Sequence, residues 1–154
     1  MKTVLAPIDF SPASRRVIAE ATVLARALHG RVVLLHVVQP PVIVGDYGMM
    51  LADVALTTAT METAATQHLA RLKSTLQRHL PATQADRRTG PPVWVILDHA
   101  KKIAADYIVL GSHGHTAFYD LLVGSTAGGV LKRARCPVMV VPSSKLRLAK
   151  AKKQ

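Results

Sequence analysis

Tyr107-Ile-Val-Leu-Gly-Ser-His-Gly114, then Gly124-Ser-Thr-Ala-Gly-Gly129 and Cys136-Pro-Val-Met-Val-Val141, form the stretch on which the reading of this chain turns. Ile108, Val109 and Leu110 make an apolar run that stops at Gly111. Gly114 follows, and Gly124-Ser125-Thr126 opens a segment of helical character. The order is strand, glycine loop, helix amino terminus, helix, strand. It directs unpaired backbone N–H groups and the positive end of a helix dipole at one place, which suits a phosphate.

The spacing also excludes. A Walker-type loop needs Lys-Ser/Thr after its second glycine, whereas Gly124 and Gly129 are followed by Val130-Leu131. No Gly-x-Gly-x-x-Gly run follows the first strand, so the dinucleotide fingerprint is missing as well. What remains is Gly111-x2-Gly114-x9-Gly124-Ser125.

The 154 residues, 49% of them hydrophobic, suffice for one domain with a real core. The longest apolar run, Val32 to Val38, is broken by His36 and falls short of the ~20 residues of a membrane span. Lys2 and Val4 to Ile8 imitate a signal peptide only until Asp9 ends the apolar part. A single cysteine precludes an internal disulfide, so a reducing cytoplasm is the expected location. Cys136 itself reads as a small packing residue. The net charge of +11 comes from 20 basic and 9 acidic side chains, with Lys145, Arg147, Lys150, Lys152 and Lys153 in a tail that has no acid. Such a tail attracts polyanions weakly, but no aromatic residue interleaves with it, so nucleic acid is not the expected partner.

Along the chain, Val4 to Ile8 reads as a strand covered on both faces. Ser11-Pro12 reads as N-cap and first helical position. Val17, Ala21, Leu24, Ala25 and Leu28 give one helical face, ended by Gly30 as a left-handed cap. Val32 to Val38 is the second strand, stopped by Pro40-Pro41, and Val42 to Leu51, with Gly45, Asp46 and Gly48, reads as loop. A long helix starts between Met50 and Thr58, shows Ala65, Leu69, Leu72, Leu76 and Leu80 on one face, and ends by Pro81. The polar strand near Thr83 to Thr89 belongs at a sheet edge. Pro91-Pro92 begins a helix with Val93, Ile96, Leu97, Ala100, Ile103 and Ala104 on its apolar side; the sequence leaves Trp94 exposed or packed. After the fourth strand, Ala127, Val130, Leu131 and Ala134 mark the last helix. Gly128 and Gly129 cost it roughly 1 kcal/mol each relative to alanine, unless they serve close helix packing. Val138 to Val141 is the fifth strand. The alternation predicts a parallel sheet with helices on both faces. We expect one domain over 1–143 and a flexible basic tail over 144–154.

With Ala6-Pro7-Ile8-Asp9-Phe10-Ser11 and Cys136 to Pro142, the glycine pattern resembles the universal stress protein family, over Lys2 to Pro142. The resemblance implies a single-domain, Rossmann-like α/β fold with an open five-stranded parallel sheet of order 3-2-1-4-5. The chain would then reverse direction between the first and fourth strands, where open sheets bind ligands, with Asp9 and Gly111 on opposite sides of the crevice. The family's ligand would be ATP, with Mg or Mn held by its phosphates. Its site would comprise Pro7, Asp9, Val37, Gly111, His113, Gly114, Gly124, Ser125 and Thr126. Asp9 would accept ribose hydroxyls, the Val37 backbone would read the adenine edge, and Gly111 would lie near the ribose. Gly114, Gly124, Ser125 and Thr126 would give donors to the phosphates. Taken alone, Gly111 and Gly114 are turn glycines, Ser125 an ordinary N-cap, Asp9 a cap before Ser11-Pro12 and Val37 a core residue. Where the family commonly has arginine and a further glycine after Gly114, this chain has His115 and Ala117.

The function implied is a cytoplasmic, adenine-nucleotide-binding stress sensor or regulator acting on an unidentified partner protein. One alternative is a nucleotide-free interaction protein, with a homodimer through the exposed edge Val138–Val141 expected in either case. The other is a slow ATPase. His113, His115 and Asp120 are the groups available to position water, and none has a partner recognisable from spacing. His36, His113 and His115 lack the spacing of a metal centre.

Overall fold

The computed structural model describes residues 1–41, 51–112 and 123–142. Its elements alternate: β1 (Thr3–Pro7), α1 (Pro12–Ala27), β2 (Arg31–Val38), α2 (Leu51–Gln77), β3 (Gln84–Thr89), α3 (Pro92–Lys102), β4 (Tyr107–Gly111), α4 (Ser125–Leu131) and β5 (Val138–Val141). The five strands form one sheet of order β3-β2-β1-β4-β5, with every neighbouring pair parallel. The expected class and strand order hold, with polar β3 at one edge. Residues 42–50, 113–122 and 143–154 lie outside the described residues, and with them the expected domain boundary.

Alternation along the strands builds two cores. Val4, Ala6, Ile8, Val32, Leu34 and Val109 face α1 and α2, where Val17, Ala21, Ala25 and Leu69 meet them. Leu5, Val33, Leu35, Ile108 and Leu110 face α3 and α4, against Ile96, Ala100, Ala127 and Val130. A strand buried on both sides has no room for a polar position, which is why its sequence is nearly continuous Val, Leu and Ile. Each such side chain withdrawn from water contributes about 1.5–3 kcal/mol before entropy is counted.

Four local expectations need correction. First, Gly30 is not the left-handed residue after α1: His29 is, at φ 49°. The N–H of Gly30 bonds to the Ala25 carbonyl at 2.8 Å, and that of His29 to Arg26 at 3.1 Å, which is a Schellman ending displaced by one residue. The reason is steric: a Cβ on Gly30 would stand 2.4 Å from the Lys2 carbonyl oxygen, so the glycine serves a backbone crossing. Second, Ser11 occupies the N-cap of α1 but makes no side-chain cap bond. Third, α3 buries Val95, Ile96, His99 and Ala100, while Ala104 falls past its end at φ 48° and is exposed. Trp94 is 65% exposed. Fourth, Leu131 is 48% exposed, so α4 is seated by Ala127 and Val130. That seat needs Gly129, where a Cβ would lie 2.7 Å from Val93 Cγ2 on α3; close helix packing explains this glycine.

Candidate functional site

The carboxyl ends of the strands converge where the chain leaves β1 toward β2 on one side and β4 toward β5 on the other. Pro7 is the last residue of β1 and lies opposite Leu35. The Ile8 N–H continues the ladder to the Leu35 carbonyl at 2.8 Å, and the Ile8 carbonyl contacts His36 Nδ1 at 2.9 Å. β1 and β4 align through Leu5 and Ile108, a register that, continued, sets Ile8 level with Gly111. Gly111 closes β4 opposite Val141. As the last residue of that strand it lies in extended backbone; among the described glycines Gly90 alone has positive φ. Val37, half-buried on β2, packs against the α3–α4 core. Pro7, Val37 and Gly111 thus share one rim of the sheet.

Asp9 sits just past that rim and is bound into α1. Its Oδ1 accepts the Ser11 N–H at 3.0 Å and the Ser14 hydroxyl at 2.9 Å, while Ser14 Oγ faces the Asp9 N–H at 3.3 Å. The carboxylate thus ties the turn before α1 to the N-cap residue and to the Ser14 side chain, without replacing the cap bond that Ser11 does not make. Its negative charge also suits the positive end of a helix. A carboxylate has about four acceptor positions, so these bonds do not exhaust what Asp9 can accept. Phe10, next in the chain, adopts φ 62°, which is costly for a side chain of its size. Its ring lies between His36 and His68, each centroid 4.2 Å away and nearly parallel, and this stack holds the strained turn.

Across the crevice, Ser112 follows β4 and is buried; its N–H bonds to the Val141 carbonyl at 2.8 Å. Its carbonyl accepts the Gly124 N–H at 2.7 Å. That clasp joins the two ends of the 113–122 segment and fixes where α4 begins. Gly124 is the N-cap at φ −67° and ψ 166°, without a side chain to cap with, and its carbonyl receives the Gly128 N–H at 2.8 Å. Ser125 is exposed and Thr126 half-buried, both in the first turn, where N–H groups have no intrahelical acceptor. Because α4 spans only 7 residues, hydroxyl and amide donors at its start matter more than its dipole.

Of the residues read from the sequence, Pro7, Asp9, Val37, Gly111, Gly124, Ser125 and Thr126 fall on this rim and the adjoining helix start. His113 and Gly114, together with His115, Ala117 and Asp120, lie outside the described residues. Three residues bordering this rim escaped the sequence reading. Ser14 had a signal in its position on the first turn after Asp9; Ser112 and Phe10 acquire their roles only through distant partners. Among the described residues no three His, Cys, Asp or Glu side chains gather as metal ligands.

A five-stranded doubly wound sheet with a glycine-rich segment at its point of reversal defines a class of small α/β domains. Within that class, the sequence model of the Universal stress protein family matches residues 1–142. Universal stress protein A homolog 1 of Coxiella burnetii is 33% identical over 141 residues, covering 91% of this chain and 95% of that protein. The chain belongs to the universal stress protein family. The solved universal stress protein UspA from Lactobacillus plantarum superposes with a TM-score of 0.81 at 24% identity, over 91% of this chain and 97% of that one. A family protein from Arabidopsis thaliana, whose structure has AMP bound, gives 0.68 at 19% identity over 94% of both chains.

Proposed function

We propose that this chain binds an adenine nucleotide, ATP with Mg or Mn on its phosphates, at the crevice between β1 and β4, and acts as a stress-response sensor or regulator. The observation that carries the reading is the clasp between the Ser112 carbonyl and the Gly124 N–H. It holds the start of α4 beside the end of β4, at the strand reversal where open sheets take ligands. The family and the AMP-bound relative support the choice of an adenine nucleotide. The residues present fit one. Ser125 and Thr126 supply hydroxyls and first-turn amides for phosphate, with His113 and Gly114 in the intervening sequence as further candidates. Asp9 would accept ribose hydroxyls while sharing its carboxylate with α1, and Pro7, Val37 and Gly111 would border base and sugar. A metal ion in this site would take most of its ligands from phosphate and water.

Regulation would follow from population shift: a nucleotide that favours one arrangement of residues 113–122 changes what a partner protein meets there. Hydrolysis is not required. A second reading concerns assembly. The outer strand β5 is apolar and Met139 on it is 40% exposed, which favours a homodimer through Val138–Val141. A cytoplasmic location fits a chain with one thiol, and among the described residues no helix is long and apolar enough to cross a membrane.

Calorimetry tests the nucleotide. Saturable ATP binding is expected, weakened roughly tenfold or more in Thr126→Val, as for a lost hydrogen bond to a charged group. Gly124→Ala paired with Gly114→Ala should abolish it. At Gly124 the backbone already suits any residue, so that half of the pair tests space beside the ligand and not strain. No heat at millimolar ATP would end the proposal.

A further inference from the structure

A groove of about 360 Å³ opens on the face that carries α3 and α4, toward the amino ends of β4 and β5 and so at the opposite end of the sheet from the crevice. Its floor includes Ile108 and half-buried Cys136, and Trp94 of α3 stands at its wall. Trp94 leaves 65% of its surface in water, although an indole commonly buries roughly 150–250 Å² when it has a neighbour to pack on. The charges around it do not balance. Lys101, Arg133 and Arg135 line the groove, and its one lining carboxylate, Asp98, is paired with Lys102 at 2.8 Å. Asp106, close enough to act on the Cys136 thiol, is held by Lys2 Nζ at 2.7 Å and the Thr3 N–H at 2.8 Å. Arg133 Nη1 donates to the Gly129 carbonyl at 3.3 Å, which keeps that guanidinium close to α4.

A basic helix face is ordinarily just solvated. Here the cations surround a concavity with an apolar floor and an unpacked indole. We propose that this groove binds a small organic anion with a flat apolar body, its ring system laid on Trp94 and its anionic group held by Arg133 and Arg135. Guanidinium forks match carboxylate, sulfonate and phosphate oxygens two at a time, and they sit well beside an aromatic face. The volume falls in the lower part of the range for small-molecule pockets, roughly 300–1,000 Å³. Nothing in this proposal depends on the nucleotide site.

Two native reporters line the groove, since Trp94 is the only tryptophan of the chain and Cys136 the only cysteine. Naphthalene-1-sulfonate serves as the probe. It should quench Trp94 emission saturably at sub-millimolar concentration and slow the alkylation of Cys136, followed by intact mass, with saturating ATP leaving both signals unchanged. Arg133→Gln with Arg135→Gln should weaken binding roughly tenfold or more at unchanged Tm, and uncharged 1-naphthalenemethanol should bind as poorly. Equal affinity of the uncharged compound, or of the double variant, would overturn the assignment. So would displacement of the probe by ATP, or quenching without protection of Cys136. Protection that grows with protein concentration and needs no probe would give the groove to a second copy of the chain instead.

Discussion

The two edges of the sheet solve one problem in opposite ways. β3 spends its side chains on polar contacts to both helix layers. Arg87 pairs with Glu62 of α2 at 2.7 Å and Thr89 donates to the same carboxylate, while Asp86 on the other face meets His99 of α3 at 3.0 Å. β5 carries no charge; Val138 and Val141 turn to the two cores, and Met139 faces outward. Its end is fixed by Arg16 of α1, whose Nη1 donates to the Pro142 carbonyl at 2.6 Å. An edge dressed with charge resists a further strand, whereas a bare apolar one invites it. If the chain assembles through its sheet, this difference points to the β5 end and not the β3 end.

The largest effect should come from giving β5 the defence that β3 already has. Met139→Lys places a charge at the exposed edge, where an unpaired cation inside an interface costs several kcal/mol. Dimer dissociation should rise by roughly a hundredfold or more, while the melting temperature measured at monomeric dilution stays near wild type. Sedimentation equilibrium reads the outcome. Equal association of wild type and variant would show that β5 is not the interface, and the contrast between the edges would lose its functional meaning.

Next in size is the contact behind β3. His99 is buried at 3% exposure, with Nε2 on Asp86 and no partner for Nδ1 among the described residues. Burial lowers its pKa, assisted by Arg88 and opposed by the charges of Asp86 and Asp98. The unfolded chain therefore takes up a proton near pH 6.5 that the folded chain refuses. Stability should be complete above that value and decline as the pH falls below it. His99→Ala should cost about 2–3 kcal/mol at pH 7.5 through the cavity it leaves. The deficit should shrink at pH 5.5, where wild type has lost part of its own margin. Urea titrations at both values measure this, and a pH-independent deficit would remove the histidine from the account.

These edges also divide what could be read from the sequence from what could not. Both were legible, one from the charges of Gln84–Thr89 and the other from the uncharged Val-Met-Val-Val of β5, because edge chemistry is local composition. The doubly buried strands were legible for the same reason. His99 was not, since an apolar-face pattern passes over histidine even beside Val95 and Ile96. Gly30 was read as a cap because glycine after a helix usually is one; the approach of Lys2 that it accommodates is tertiary. In the candidate site the glycine spacing and Asp9 were visible. The bonds of Asp9 to Ser14, the clasp at Ser112 and the ring stack on Phe10 depend on partners brought together by folding.

The smallest effect tests whether β5 is positioned by the helix before it. Gly129 lets α4 lie against Val93, and a methyl there would press on Val93 Cγ2 at 2.7 Å. That clash should cost about 1–3 kcal/mol. Replacing glycine by alanine inside a helix returns roughly 1 kcal/mol, so the net loss in Gly129→Ala should be about 1 kcal/mol. Val93→Ala removes the atoms in the way. In the double variant the loss should be smaller than the sum of the singles, by an interaction term of about 1 kcal/mol in a denaturation cycle. If α4 also sets the height of β5, Gly129→Ala should weaken dimerisation as well and the double variant should restore it. Strict additivity in stability would mean that α4 shifts freely on α3, and that the β5 edge owes its place to β4 and Arg16 alone.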